Sequence, residues 1–483
     1  MNILKSRKFP TASWALNSNA DFTSEGVQGD ASFTGKSVEL DIPIGCLLDR
    51  EPVNGAIIYG SAPIEAPAAF GFCQTGERIT LIDLSTPGPG FSIPGTKYEN
   101  LRATSAIVCN TAFVQPNPVI RSLTLKISGL WRWVGKHFGE VESRYQARKW
   151  IDTSAIWSSE NCEDLPLFGD DDMTIMLHPV ITMRNHPHQQ EFNIREDVNL
   201  RFTMNNPMPL DNTMDKWVYP MWKMLTFCMG FRCSIDEIKI QTADGHNASC
   251  FLPLIEGEEE PSDRQLDRMP LPYTFVSKEL PDIFKHWLNL DEDAKRAATI
   301  LIGVQSGKGI SLLDPMFTTV AGAFEAISRV GETSKDMDRA RYKKIRKQLN
   351  TCLDNQEDAK WVLGKLNNIP PASYYASALM QKLGAFSDYV TPDNKRFLQD
   401  LRRNRNAYIH QTSALDNKSK TLSDRELYSL TMAIKVLCYG AIMTQLGLDT
   451  ATVLKQFQTT HFCEAEIHLA RKMYPLQEDG TSR

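Results

Sequence analysis

The sequence lacks an excess of positive charge: 53 lysines and arginines stand against 58 aspartates and glutamates, a net −5. A chain that meets nucleic acid over its whole surface is normally basic, so a polyanionic partner here would need a local patch. No run approaches the roughly eighteen uninterrupted apolar residues of a membrane-spanning helix, so no membrane partner is expected. The opening MNILKSRKFPTASW carries charge without an apolar segment, which argues against a secretory signal. The ten cysteines include no CxxC pair, and several, as in KVLCYG and LTFCMG, sit where a thiol is a small buried hydrophobe. Reduced thiols in a cytoplasmic protein are the expectation.

Motifs that would announce a cofactor are also missing. There is no GxSxG, GxGxxG or HExxH. GVQSGKG contains Lys308, but it lacks phosphate-loop spacing and follows a helical pattern rather than a strand. His186 and His188, in NHPHQQ, have no accompanying ligands and read as a surface loop. Asp170, Asp171 and Asp172 read as a turn. Neither a cofactor nor a metal is expected.

What is present is a chain of two textures, 483 residues long, enough for two or three domains. Residues 1–275 alternate short runs rich in Val, Ile, Thr and Leu with Gly/Pro breakers. ASFTGKSVELDIPI, AIIYG, RITLIDL, RATSAIVCNTAFV, SLTLKISGLW, MTIMLHPVITM, DVNLRFTM and SIDEIKIQTA predict antiparallel strands in a sandwich or curled sheet. One helix, LDNTMDKWVYPMWKMLTFCMGF, interrupts them, and the acidic EGEEEPSDR (256–264) reads as an exposed loop. Residues 276–483 are helical. Phe317, Val320, Phe324, Ile327 and Val330 recur at spacings of three and four. A basic helix over 335–353 follows, and PASYYASALMQKLGAFSDYV reads as one further helix. Thr391 is the expected cap, with Pro392 at the first position, of the helix carrying KRFLQDLRRNRNAYIH. Ser423 and Glu426 have capping-box spacing before the last long helix. The expected fold class is therefore α+β: a strand-rich N-terminal domain followed by an all-α bundle.

Chemistry concentrates in LRRNRNAYIHQ, residues 401–411. Arg405-Asn406-x-x-x-His410 combines an always-charged planar cation, an amide and an imidazole that titrates near neutrality. An all-helical bundle with RNxxxH before its last long helix resembles the HEPN superfamily of ribonucleases. The AFEAISR core of the helix after residue 313 resembles the first bundle helix of the ApeA-like branch. The strand-rich half is similar to the N-terminal domain of ApeA antiphage proteins. The resemblance implies metal-independent RNA cleavage, with attack of the substrate 2′-OH leaving a 2′,3′-cyclic phosphate and a 5′-OH. His410 would move protons, Arg405 would bind the charged phosphorane, and Asn406 would hydrogen-bond the phosphate or hold the imidazole tautomer. It also implies a homodimer through the HEPN domain, host RNA (tRNA foremost) as substrate, and a phage protein that triggers the N-terminal domain.

Helix geometry leaves one question open. Arg405 and His410 lie about 140° apart on an ideal helix, whereas Asn406 and Arg403 share the histidine's side. Either the helix unwinds before His410 and Arg405 swings in, or Arg403 supplies the guanidinium. Arg402 reads as a surface ion-pair partner, Tyr408 as packing, and Glu325 as a support for the site or an anchor for Arg329 or another arginine. Arg402, Arg403, Lys395 and Arg396, with Lys343 and Lys344 on the basic helix, form the local positive patch that RNA would require. Two rivals are a non-catalytic dimeric RNA- or protein-binding bundle, and a nucleotide-binding regulator without phosphate-loop support.

Overall fold

The computed structural model describes residues 6–34, 37–48, 65–86, 98–146, 149–157, 162–186, 191–252, 268–305, 312–332, 335–353, 355–366, 368–410 and 422–476. The expected strand AIIYG, the acidic stretch 256–264, Lys308, His188 and the segment TSALDNKSK lie outside them. Packing divides the chain between Phe284 and Lys285, and each unit is described by itself.

In the first unit, thirteen of the described strands form one antiparallel sheet. The strands are β1 (Ser6–Ala15), β2 (Val27–Thr34), β3 (Val38–Ile42), β4 (Glu65–Cys73), β5 (Arg78–Ser85), β6 (Glu99–Ala103), β7 (Ser105–Cys109), β8 (Val119–Ile127), β11 (Leu165–Gly169), β12 (Met173–His186), β13 (Glu191–Pro209), β14 (Ile235–Thr242) and β15 (Asn247–Phe251). β9 (Gly139–Gln146) and β10 (Lys149–Trp157) pair separately. The order is β11-β12-β13-β8-β14-β15-β7-β5-β4-β1-β2-β3-β6. Ser85 of β5 also pairs with Arg102 of β6, so β5-β4-β1-β2-β3-β6 close into a barrel. Of the two expected arrangements, the curled sheet is the one formed.

The split occurs at Asp83, whose φ of 51° kinks β5 after it has paired with β7 and before it meets β6. Thr104, between β6 and β7, donates its backbone N–H to the Ile82 carbonyl at 3.0 Å and holds the divergence. The barrel core is Phe9, Trp14, Phe33, Leu40, Ile79, Leu81 and Leu101, all buried. Trp14 lies flat against Gly71, where an added Cβ would stand 2.6 Å from its ring.

Outside the barrel, α1 (Leu130–Val134) follows β8. The expected apolar helix is composite: α2 (Leu210–Thr213), a π turn (Met214–Val218) and α3 (Tyr219–Met229). The wider turn precedes Pro220, whose ring would otherwise crowd the carbonyl four residues back. Asp170 forms the expected turn, accepting from the Asp172 and Met173 backbone N–H groups at 2.9 and 2.8 Å. All ten cysteines are free thiols. α4 (Tyr273–Val276) and α5 (Leu280–Leu288) follow, and the division of the chain falls within α5.

The second unit contains α6 (Glu292–Gln305), α7 (Leu313–Arg329), α8 (Arg339–Cys352), α9 (Gln356–Lys365), α10 (Ala372–Leu383), α11 (Ala385–Val390), α12 (Asn394–His410), α13 (Asp424–Gln445), α14 (Thr450–Thr460) and α15 (Glu464–Met473). The apolar stripe on α7 is buried at Phe317, Val320, Phe324 and Ile327, while Val330 forms its extended C-cap. α13 is the axis of the bundle. By length and composition it could cross a membrane, but 83% of its apolar window is buried among the other helices, which accounts for that composition. Ser423 and Glu426 form the expected capping box at its start.

Two helix boundaries differ from expectation. PASYYASALMQKLGAFSDYV is two helices, because Gly384 adopts φ 50°, ψ −124° and breaks the run. α12 is capped by Asp393 rather than Thr391: its carboxylate accepts from the Arg396 N–H at 2.9 Å. Thr391 is fully buried and donates its hydroxyl to the Asn394 side-chain carbonyl at 2.8 Å. A buried hydroxyl satisfied elsewhere is not available as a cap.

Candidate functional site

α12 runs without a break through His410, so the unwinding that would bring Arg405 beside the histidine does not occur in this structure. The apolar face of α12, with Phe397 and Leu401 buried, presses it into the bundle. Tyr408 completes that face, edge-on to the Phe317 ring at 5.5 Å. Burial, with Asp314 nearby, pushes the Tyr408 phenol above its ordinary range. His410 is the last residue of α12, and its side chain lies outside the described residues.

Arg405 points into the bundle. Its Nη2 donates to Glu325 Oε2 of α7 at 2.6 Å, and the same carboxylate's other oxygen receives Arg329. Glu325 thus anchors two guanidiniums, one from its own helix at i+4 and one from α12. Among the described residues, the buried Arg405 Nε–H has no hydrogen-bond partner. A cavity of about 220 Å³ opens here, walled by Glu325 and Ser328 of α7, Ser373 of α10, and Arg402, Arg405 and Asn406 of α12. Phe324, Ala376 and Leu401 form its apolar floor. Arg402, expected as a surface ion-pair partner, is exposed and also lines this wall. Two guanidiniums, an amide and two hydroxyls line a mostly apolar hollow beside the Glu325 carboxylate, so an anion entering it competes with Glu325 for Arg405.

The opposite side of α12 is organised around Asp400. Only 6% exposed, it lies 3.8 Å from both Arg396 and Arg403 and beside the buried Tyr474. Burial raises the Asp400 carboxyl above its usual range despite the two arginines, and burial also raises the Tyr474 phenol. Asn404 is fully buried; its amide donates to the Asp400 carbonyl at 2.8 Å and accepts from the Leu422 N–H at 3.2 Å. It therefore pins the chain at Leu422, two residues before α13. Asn404 stands in the helical stripe Phe397, Leu401, Asn404, Tyr408, a spacing that marks it as inward-facing although it carries no motif.

The nine residues singled out by sequence do not form one cluster. Arg402, Arg405 and Asn406 meet at the cavity. Arg403 is drawn toward Asp400 and is half exposed. Lys395 and Arg396 sit fourteen to fifteen residues before His410, about 20 Å away along the axis. Lys343 and Lys344 are exposed on α8. Among the described residues, no three His, Cys, Asp or Glu side chains are placed to hold a metal ion.

Two family models match the chain. The family model Apea-like HEPN matches residues 318–452, which include every wall of the cavity. The model ApeA N-terminal domain 1 matches residues 11–287, more than half of the chain. The chain belongs to the ApeA-like HEPN family. HEPN domains are generally ribonucleases that dimerise and bind RNA, and the family points to a nuclease of antiphage defence. No curated protein and no solved structure matches the chain.

Proposed function

We propose that the protein is a metal-independent endoribonuclease of abortive antiphage defence, acting in the cytoplasm on host RNA, foremost tRNA, when a phage protein engages the strand-rich unit. The observation that carries this reading is the cavity on α12, where Arg405 and Asn406 form one wall of an anion-sized hollow one helical turn before His410. Asn406 and His410, at i and i+4, share a side of the helix, so an amide and an imidazole can address one phosphate together. His410 takes the 2′-OH proton as that oxygen attacks phosphorus. The 5′-oxygen leaves with a proton, giving a 2′,3′-cyclic phosphate and a 5′-OH.

Arg405 cannot reach the same phosphate around an unbroken helix, being about 140° from His410. A second bundle related by a twofold axis would bring its own Arg405 or Arg403 to that phosphate, so the proposed active form is a homodimer. In this structure Glu325 occupies Arg405, which fits a resting form whose clamp is held until substrate displaces or shares the carboxylate. Purified His410→Ala and Arg405→Ala proteins should each lose RNA cleavage and cellular toxicity by at least about 100-fold while keeping the wild-type helical signal. Sequencing of 5′-OH ends after induction measures the loss. Undiminished cleavage by His410→Ala would overturn the mechanism.

A further inference from the structure

α8 is the most one-sided in charge of the described helices. Its fourteen residues, RARYKKIRKQLNTC, hold six cations and no acid, in a protein whose net charge is −5. It buries none of its side chains. Tyr342, Ile345 and Leu349 form a half-buried seam toward α9, of which Ala359 alone is buried. The pair is tied at its base. Met337 and Asn368 exchange two hydrogen bonds of 2.8 Å, and the Tyr342 hydroxyl donates to the Leu366 carbonyl at 2.8 Å. Opposite the seam, helical spacing presents Lys343, Lys344 and Lys347, with Arg341 on one flank and Arg339 and Arg346 on the other.

We infer that the α8–α9 hairpin is an arm that grips the phosphate backbone of the substrate RNA, a reading that rests on the proposed ribonuclease activity. The chemistry of the face selects this partner. Protein interfaces are depleted in lysine and are anchored by buried aromatic or arginine residues in pockets. The outward side of α8 offers only cations, Ala340, Gln348, Asn350 and Thr351. A face about 21 Å long with evenly spaced cations and no apolar anchor suits a polyanion bound without sequence preference. The exposed aromatic of the hairpin, Trp361, is on α9 and turned away from α8, since Ala359, Val362 and Leu363 form its packed side. The arm therefore raises local RNA concentration and sets affinity, while the α12 cavity and His410 set the chemistry.

The test uses the full-length chain with a fluorescein-labelled tRNA and an unstructured RNA of equal length. Binding and cleavage are measured across a salt series for wild type, K343Q/K344Q/K347Q and Trp361→Ala. Glutamine keeps helix propensity, and none of the three lysines is buried, so folding is retained and is checked by circular dichroism. The triple variant should raise KM for both RNAs by about 10-fold or more, with the loss falling on KM rather than kcat. It should also flatten the logarithmic salt dependence by about two. Trp361→Ala should bind as wild type does. Unchanged KM and salt slope in the triple variant, while wild type cleaves, would overturn the arm and leave the nuclease reading standing. An equal, salt-insensitive loss in Trp361→Ala would assign the hairpin to a protein contact and also overturn it. Conversely, wild type that binds RNA through these lysines but never cleaves it would retain the arm and refute the nuclease.

Discussion

Glu325 serves two arginines with one carboxylate, so the pair of helices it joins retains a surplus positive charge at the cavity. The same helix α12 carries an acid with the opposite problem. Burial lifts the Asp400 pKa above 3.8, so the folded protein holds that proton to a higher pH than the unfolded chain does. The folded state then binds more protons between the unfolded and folded values. Stability due to this group is greatest below the unfolded value and falls as pH rises through the folded one. Asp400→Asn should flatten this limb of the stability profile. Denaturant midpoints of the helical signal between about pH 3 and 6 would show it. A profile that kept its slope in the variant would locate the titration elsewhere. The pattern Arg405-Asn406-x-x-x-His410 was legible because it is local to one helix. The pairing of Arg405 with Glu325, eighty residues away, was legible only as one of several options, since sequence spacing does not say which arginine a carboxylate faces across a bundle.

At the scale of elements, α13 and α7 show how far pattern reading extends. The α7 stripe and the Ser423–Glu426 box depend on neighbours three or four residues apart, and both formed as expected except at Val330, which leaves the helix as its extended C-cap. Boundaries set by tertiary demand did not. Thr391 was diverted into the core, Asp393 took the cap, and Gly384 broke a helix whose spacing looked continuous. β4, EAPAAFGFC, was unreadable as a strand because alanine, proline and glycine have little β preference; it is held by pairing with β1 and β5, and Gly71 leaves room there for the Trp14 ring. Two glycines separate propensity from packing. At Gly440 on α13, an added Cβ would lie 2.1 Å from the Phe386 ring, whereas at Gly322 on α7 it would meet nothing within 4 Å. Gly440→Ala should destabilise the bundle by about 1–3 kcal/mol. Gly322→Ala should stabilise it by about 0.5–1 kcal/mol. Thermal unfolding of the two variants checks the pair, and equal shifts would contradict this reading of the core.

For the whole molecule, the division into a strand-rich unit and a helical unit was visible as a change of texture, because alternation and helical periodicity are local properties. Closure of the barrel was not, since it depends on a single pairing between Ser85 and Arg102 after a kink at Asp83. The closure has a consequence at the far end of the sheet. β6 is taken up by β5, so among the described strands the thirteen-stranded ladder has one lateral end, the five-residue β11. That strand carries Pro166, which cannot donate a hydrogen bond, and its register with β12 slips between Pro166 and Phe168. Pro166→Val should restore a donor and straighten the margin. Sedimentation at rising concentration should then reveal association beyond that of wild type, and identical profiles would assign the proline no such role. A large sheet is ordinarily a template waiting for another chain to add to it. Here nearly all of that templating capacity is used internally, and what is left over is a short, blunted margin on which a stray strand finds little to copy.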